Sequence, residues 1–330
     1  MTSDVMINKK HPRTTNVLKD KFSKDILKGL TQKKKYLPSK YFIDERSFDL
    51  YYKIAELSES YIARSEREIL LNNRVDIINL LGSDPFNFIE LGPGDLHKTQ
   101  VLMKEFFVRS INFNYIPVDI SIHCLKEVEH FLKKPFPKQT IYCLLTDYYK
   151  GLPLSELPEQ RKNIVFLLGS IIGDLLKDDG IKFLSTIKND LKKDDFFIIG
   201  FDLKKDIQQL LNAFNDSLGL YSQYNASILR RINTAFKGNI NLSAFKHYAT
   251  YNVHSNAIEC YLISTKQQSI FLEDLNTEIE FEKWEPILTQ VSQKYSVDDI
   301  EEMAEKSGYS IKKHFFDSKN NFVNSVWKVD

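Results

Sequence analysis

Cysteine is scarce in this chain. The 330 residues hold three, Cys124, Cys143 and Cys260, far apart and with no Cys-x-x-Cys. That excludes a disulfide framework and fits a reducing, cytoplasmic setting. Charge of one sign is also missing: 45 Lys and Arg stand against 44 Asp and Glu, a formal net of +1. No global field therefore gathers nucleic acid or acidic partners, and Lys9-Lys10 and Lys33-Lys34-Lys35 read as a solvated tail and a solvated turn. No apolar run approaches the roughly twenty residues of a membrane span, so no membrane association is expected. The polar start has no hydrophobic segment of a secretory kind. Seven histidines are scattered. His123 and His130 lie two helical turns apart, but no acid or cysteine completes a shell around them, and no metal is expected. No Ser-His-Asp or Cys-His arrangement stands out.

What is present is Phe88-Ile-Glu-Leu-Gly-Pro-Gly-Asp-Leu-His-Lys98, an apolar run closed by Gly92 and Gly94 and followed by a helix-like segment. A buried strand ending in two glycines lets a ligand approach bare backbone. Further on, Tyr115-Ile-Pro-Val-Asp119 is a second apolar run ending in a carboxylate, placed to bind the hydroxyls of a ribose. Together they point to an adenosine-containing cofactor. A dinucleotide site would show a third glycine and no acid facing the pyrophosphate. Here the third glycine is absent and Asp95 follows the second. Glu90 and Asp95 suit the cationic sulfonium and ammonium of S-adenosylmethionine better.

Residues 36–80 carry apolar positions at helical spacing, and the first dozen residues are expected to be disordered. Apolar strands are expected at 87–91, 114–119, 140–146, 163–169 and 195–202, separated by helices including 99–107 and 177–191. Such alternation predicts an α/β fold, a mostly parallel doubly wound sheet covered on both faces. After Asp202 the pattern changes to helices over 207–236, then short strands at 248–252, 257–264, 269–272 and 278–284. A helix at 297–307 and a hairpin across Asp317-Ser-Lys-Asn-Asn321 close the chain. In a parallel sheet the ligand crevice lies beyond the strand tips where strand order reverses, flanked by the first and fourth strands. The fourth supplies Leu168-Gly-Ser-Ile-Ile-Gly-Asp174. There Gly169 and Gly173 permit close approach, and Asp174 either points into the crevice or caps the next helix.

At this point the residues resemble a known family. Glu90-Leu-Gly-Pro-Gly with Lys98, Pro117-Val-Asp119, Thr146-Asp147-Tyr148, Leu168-Gly-Ser-Ile-Ile-Gly-Asp174 and Gly200-Phe-Asp-Leu-Lys-Lys-Asp206 are similar to the histidine-specific, S-adenosylmethionine-dependent methyltransferases of ergothioneine biosynthesis. The likeness runs in order from about residue 35 onward, through Tyr61-Ile-Ala-Arg64, Tyr224-Asn225 and Thr289-Gln-Val-Ser292. It implies a Rossmann-like class I methyltransferase domain over residues 65–204 and 297–330. A smaller α+β substrate domain would combine residues 1–64 with an insertion at 205–296. It further implies that Gly92 contacts the methionine part of the donor and Lys98 its carboxylate region. Asp119 would hold the ribose, and Asp147 with Tyr148 the adenine.

The family's acceptor positions differ here. Ile43, Ser60 and Phe214 stand where the family has tyrosines, Asp174 where it has an amine-binding asparagine, and Gln290 where it has a glutamate, while Ser292 is kept. Three lost phenols and a lost carboxylate remove hydrogen bonds that recognise histidine, which should change the substrate. Phe214 and Cys260 either point to a less polar acceptor or are ordinary core residues. The expected reaction is N-methylation of a small amine, an amino acid or derivative, by a monomer or homodimer, with Asp174 as proton acceptor. The rival readings are a donor-binding protein that has lost catalysis and serves as a partner or regulator, and methylation of nucleic acid or protein.

Overall fold

The computed structural model describes residues 12–42, 45–94, 96–157 and 159–330. Ile43, Asp95 and the first eleven residues lie outside them. The chain parts into two compact units, one holding Tyr61–Lys204 and Gln293–Asp330, the other His11–Ser60 and Lys205–Ser292. The seams thus fall after residues 60, 204 and 292. The first falls there because Tyr61 opens the helix Tyr61–Leu81.

The first unit is built on a seven-stranded sheet. Its order is Ser310–Phe316, Phe322–Lys328, Phe196–Asp202, Lys162–Leu167, Phe86–Leu91, Phe113–Asp119 and Leu144–Leu145. The last five are parallel, and the terminal hairpin joins antiparallel to Phe196–Asp202. Every residue of Phe86–Leu91, Phe113–Asp119 and Phe196–Asp202 is buried, as strands covered on both faces must be. Aromatic rings fill one layer: Phe88 lies 4.6 Å from Phe166 and 5.6 Å from Phe106. Each such ring removed from water contributes about 1.5–3 kcal/mol.

A chain of amides sets the register at the N-terminal ends of the strands. Asn114 Nδ2 donates to Asn87 Oδ1 (3.1 Å), Asn87 Nδ2 to Asn163 Oδ1 (3.0 Å), and Asn163 Nδ2 to Asp195 Oδ2 (3.0 Å). A slip of one residue would turn these side chains to the opposite face and break all three bonds. The helices follow local signals. Ser121 Oγ accepts from Cys124 N at the start of Ile122–Lys133. Ser296 and Asp299 close a capping box on Val297–Ser307, which ends at Gly308 with φ +80. Asp317 turns the last hairpin by accepting from Phe322 N (2.7 Å) and Lys319 N (3.3 Å).

Two strand expectations need correction. The strand expected at 140–146 is only Leu144–Leu145, an edge pairing of two residues with Val118 and Asp119. Upstream of it a single bridge joins Ile141 to Tyr115. An edge position has one neighbour, so apolar content alone does not extend the ladder. In the second unit the strand Pro286–Gln293 went unforeseen. It lies between Lys35–Tyr36 and Ala257–Ser264. Partners on both sides satisfy its backbone.

That second unit has a four-stranded sheet, ordered Lys35–Tyr36, Pro286–Gln293, Ala257–Ser264, Phe245–Asn252, and a ribbon of Gln268–Leu272 with Thr277–Phe281. Its helices are Pro12–Leu30, Glu45–Ala55, Ile207–Asn212 and Leu220–Phe236. Phe22, Ile26 and Leu30 form the buried stripe of the first helix, the i, i+4, i+8 spacing of one face. Asp216 anchors the last helix by accepting from Leu220 N (2.9 Å) and Tyr221 N (2.6 Å). All three cysteines are free and buried. No helix among the described residues is long and apolar enough to cross a membrane.

Candidate active site

The tips of the parallel strands bring several of the expected residues together. Gly92 follows Phe86–Leu91 with φ +63 and donates its N–H to Val118 O (2.9 Å). A Cβ added there would stand 2.7 Å from Ile171 Cδ1 and 3.1 Å from the Tyr148 hydroxyl. Only glycine fits this cradle, whose wall is formed by Ile171 and Tyr148. Gly94 is half-buried two residues on. Asp119 ends the neighbouring strand and accepts from Ser121 N (2.7 Å). Asp147 caps the short helix Tyr148–Lys150. The Tyr148 phenol is held far above its ordinary range, by burial first and then by Tyr149, Asp119 and Asp174. It stays protonated, and Asp119 and Asp174 lie close enough to act on it. A bare-backbone cradle bordered by carboxylates suits a cationic adenosyl sulfonium and repels a pyrophosphate.

Glu90 lies beneath this cradle. Its carboxylate accepts from Thr99 Oγ1 (2.7 and 2.9 Å) and Tyr115 hydroxyl (2.6 Å). Burial raises its pKa, against those bonds. Glu90 thus braces the glycine strand against the helix Leu96–Val108. Lys98, on that helix, is 3 % exposed and donates to Glu66 Oε2 at 2.5 Å.

The fourth strand leads into a strained loop. Gly169 has φ +76 and Ser170 φ +60, the left-handed region that costs a non-glycine residue roughly 1–2 kcal/mol. Asp174 closes the short helix Ile171–Asp174, while Lys177–Asp190 starts behind Leu176 with no side-chain cap. Asp174 is therefore not the cap of that helix, and the alternative reading of it falls away. Gly173 serves packing: a Cβ there would lie 3.0 Å from Gln293 O. Tyr295 hydroxyl donates to Ile172 O (3.1 Å). At the tip of Phe196–Asp202, Asp202 is fully buried, accepts from Tyr61 hydroxyl (2.7 Å) and pairs with Lys294 Nζ at 2.7 Å.

The second unit groups two of the expected acceptor residues. The ring of Phe214 lies 4.9 Å from that of Tyr221, whose hydroxyl donates to Gln290 Oε1. Cys260 is buried, and its carbonyl accepts from Thr289 Oγ1 (2.9 Å). Ser292 is buried and Ser60 half-buried. Ser60 N donates to Leu57 O at 3.1 Å. Ile43 lies outside the described residues.

His247, which sequence reading passed over, locks the Phe214 loop. Its Nε2–H donates to Phe214 O (2.9 Å) and its Nδ1 accepts from Asn225 Nδ2 (2.8 Å). Asn225 Nδ2 also donates to Tyr261 O (3.1 Å), which orients the amide and makes the ring neutral. Burial lowers the His247 pKa, outweighing the Phe214 carbonyl and Asp216. The unfolded chain then binds the extra proton, so stability falls as pH drops below the ordinary histidine range near 6.5. Half-buried His314, its pKa lowered by desolvation, adds a dependence of the same sign. We expect melting curves from pH 8 to 5 to show a smaller loss for His247→Gln than for the wild type. An equal loss would contradict this role.

Glu66, Tyr221 and Lys294 were also missed. Glu66 carried a signal, since it lies in the buried stripe of Tyr61, Ser65, Glu66, Ile69 and Leu70 on one helix, where an unneeded charge would be expensive.

Comparison with known proteins places these features. The family described as histidine-specific, SAM-dependent methyltransferases matches residues 22–329. The chain is 31 % identical to the histidine N-alpha-methyltransferase of Mycolicibacterium smegmatis, over 84 % of this chain and 85 % of that one. It is 28 % identical to the enzyme of the same name from Mycobacterium tuberculosis, over 82 % and 84 %. It is 25 % identical to the L-tryptophan methyltransferase of Psilocybe serbica, over 86 % of each. With its glycine cradle, its acid-bordered strand tips and a match over nearly its whole length, the chain belongs to the histidine-specific, S-adenosylmethionine-dependent methyltransferase family and is an N-methyltransferase.

Proposed function

We propose that this enzyme methylates the amino group of an amino acid or derivative whose side chain is less polar than that of histidine, an aromatic one first of all. The observation that carries the reading is the Phe214–Tyr221–Gln290 group. A phenyl ring and a neutral amide already engaged by a phenol replace a phenol and a carboxylate at positions the family uses for histidine. A site lacking such partners loses its preference for a polar ring. The likeness to an L-tryptophan methyltransferase supports this reading.

The donor supplies a methyl group on a cationic sulfur. In our reading this chain's residues bind and orient. Gly92 leaves backbone open for the methionine part, and Lys98 attracts its carboxylate. Asp119 takes the ribose hydroxyls, while Asp147 and Tyr148 flank the adenine. Asp174 accepts the amine's proton and exposes its lone pair. Alignment of nucleophile, methyl and leaving sulfur can contribute about 7–11 kcal/mol.

The test is methyl transfer from labelled S-adenosylmethionine to a panel of L-amino acids and their decarboxylated amines. We expect an aromatic acceptor such as L-tryptophan to exceed L-histidine at least about tenfold in kcat/KM, the scale of one lost hydrogen bond to a charged group. Histidine as the best acceptor would overturn the proposal.

A further inference from the structure

One buried acid is left without a role in that account. Glu66, 0 % exposed on the helix Tyr61–Leu81, accepts with the same oxygen, Oε2, from Lys98 Nζ (2.5 Å) and from the backbone N–H of Gly169 (2.8 Å). Its other oxygen faces Gly200, where a Cβ would approach to 2.3 Å. The strand Phe196–Asp202 must therefore carry a glycine opposite it. Lys98 belongs to the helix behind the glycine cradle. Gly169 opens the left-handed turn that leads to Asp174. One carboxylate oxygen thus ties the donor side of the crevice to the loop that displays the proposed base.

We propose that Glu66 is a positioning residue that couples donor binding to the order of the 168–174 loop. This rests on the reading of Lys98 as the group that attracts the donor's carboxylate. An oxygen shared between two donors bonds each less strongly than it would bond one. The ion pair is almost fully buried, 4 % and 0 % side-chain exposure, so the attraction is poorly screened. A second anion near Lys98 draws the ammonium partly away from Oε2. The Gly169 N–H then takes a larger share of that oxygen, and the turn at Gly169 and Ser170 tightens. Asp174 is fixed when the donor is present and looser when it is absent.

Hydrogen exchange tests this without an acceptor or turnover. S-Adenosylhomocysteine is titrated by calorimetry into wild type, Glu66→Gln and the double variant Glu66→Gln/Lys98→Met, and exchange of a peptide covering 168–175 is followed with and without it. The double variant removes both charges and guards against a single variant that fails to fold. In the wild type, saturating ligand is expected to slow exchange in this peptide about tenfold, the effect of roughly 1.4 kcal/mol of local stabilisation. In the variants the slowing falls to within about twofold, the size of a few tenths of a kcal/mol, even at ligand saturation. Equal slowing in wild type and a folded variant overturns the proposal, as does a wild type that binds ligand with no slowing. A folded Glu66→Gln variant that has lost ligand binding altogether overturns it too, since Glu66 would then hold the donor site itself. A wild type with no calorimetric binding refutes the donor-site reading instead, and the two failures are told apart by the titration.

Discussion

Asp174→Asn is expected to lower kcat/KM for methyl transfer by about 10²–10⁴-fold, the usual contribution of a positioned proton acceptor. The substitution keeps size and shape. It removes the charge that attracts a protonated amine and the oxygen that takes its proton. Without that acceptor only amine already deprotonated in solution reacts. The residual rate of the variant should therefore climb about tenfold per pH unit toward the amine's own pKa, while the wild type levels off earlier. Affinity for S-adenosylhomocysteine, measured by calorimetry, should change by less than about threefold, since Asp174 lies on the fourth-strand loop and not in the glycine cradle. A variant with wild-type rates across pH would remove Asp174 from the reaction.

The largest stability effect is expected at the buried ion pair of Asp202 and Lys294. Both side chains are 0 % exposed, the contact is 2.7 Å, and Tyr61 hydroxyl adds bonds of 2.7 and 2.8 Å to the same carboxylate. Lys294→Met leaves the carboxylate buried without this counter-charge, a change that costs about 3–5 kcal/mol. For a protein of this size the melting point should fall on the order of 10 °C. Asp202→Asn/Lys294→Met removes both charges and should recover most of the loss, because the pair as a whole gains little over neutral packing. A double variant as unstable as the single one would mean that the shape of the site, and not its charge, is what matters. The pair closes the loop end of the strand Phe196–Asp202: Tyr295 N donates to Asp202 O (3.0 Å) and Lys204 N to Tyr295 O (2.9 Å). The residues after the inserted segment are thereby bound to those just before it.

Much of this protein was legible as sequence because its strongest signals are local. A strand with helices on both faces must be apolar throughout, so Phe86–Leu91, Phe113–Asp119 and Phe196–Asp202 announce themselves. A left-handed bend favours glycine, so Gly92 marks the turn at the tip of the first strand. Ser121 and Ser296 name their own helix starts, because a cap bond reaches only three residues ahead. The family likeness drew on motifs of this short-range kind.

Other features were decided by residues far apart in the chain. Pro286–Gln293 is a strand because neighbours at Lys35–Tyr36 and Ala257–Ser264 take its backbone bonds. Residues 140–146 pair as a strand only at Leu144 and Leu145, against Val118 and Asp119. Glu66 meets Gly169 across 103 positions and Asp202 meets Lys294 across 92. Nothing within a helical turn of any of them foretells the partner. The sequence by itself determined which segments are buried and where the chain bends. Tertiary structure alone decided which buried charges face each other, because the energy of a buried charge depends on its neighbours in space, and periodicity along the chain carries no record of them.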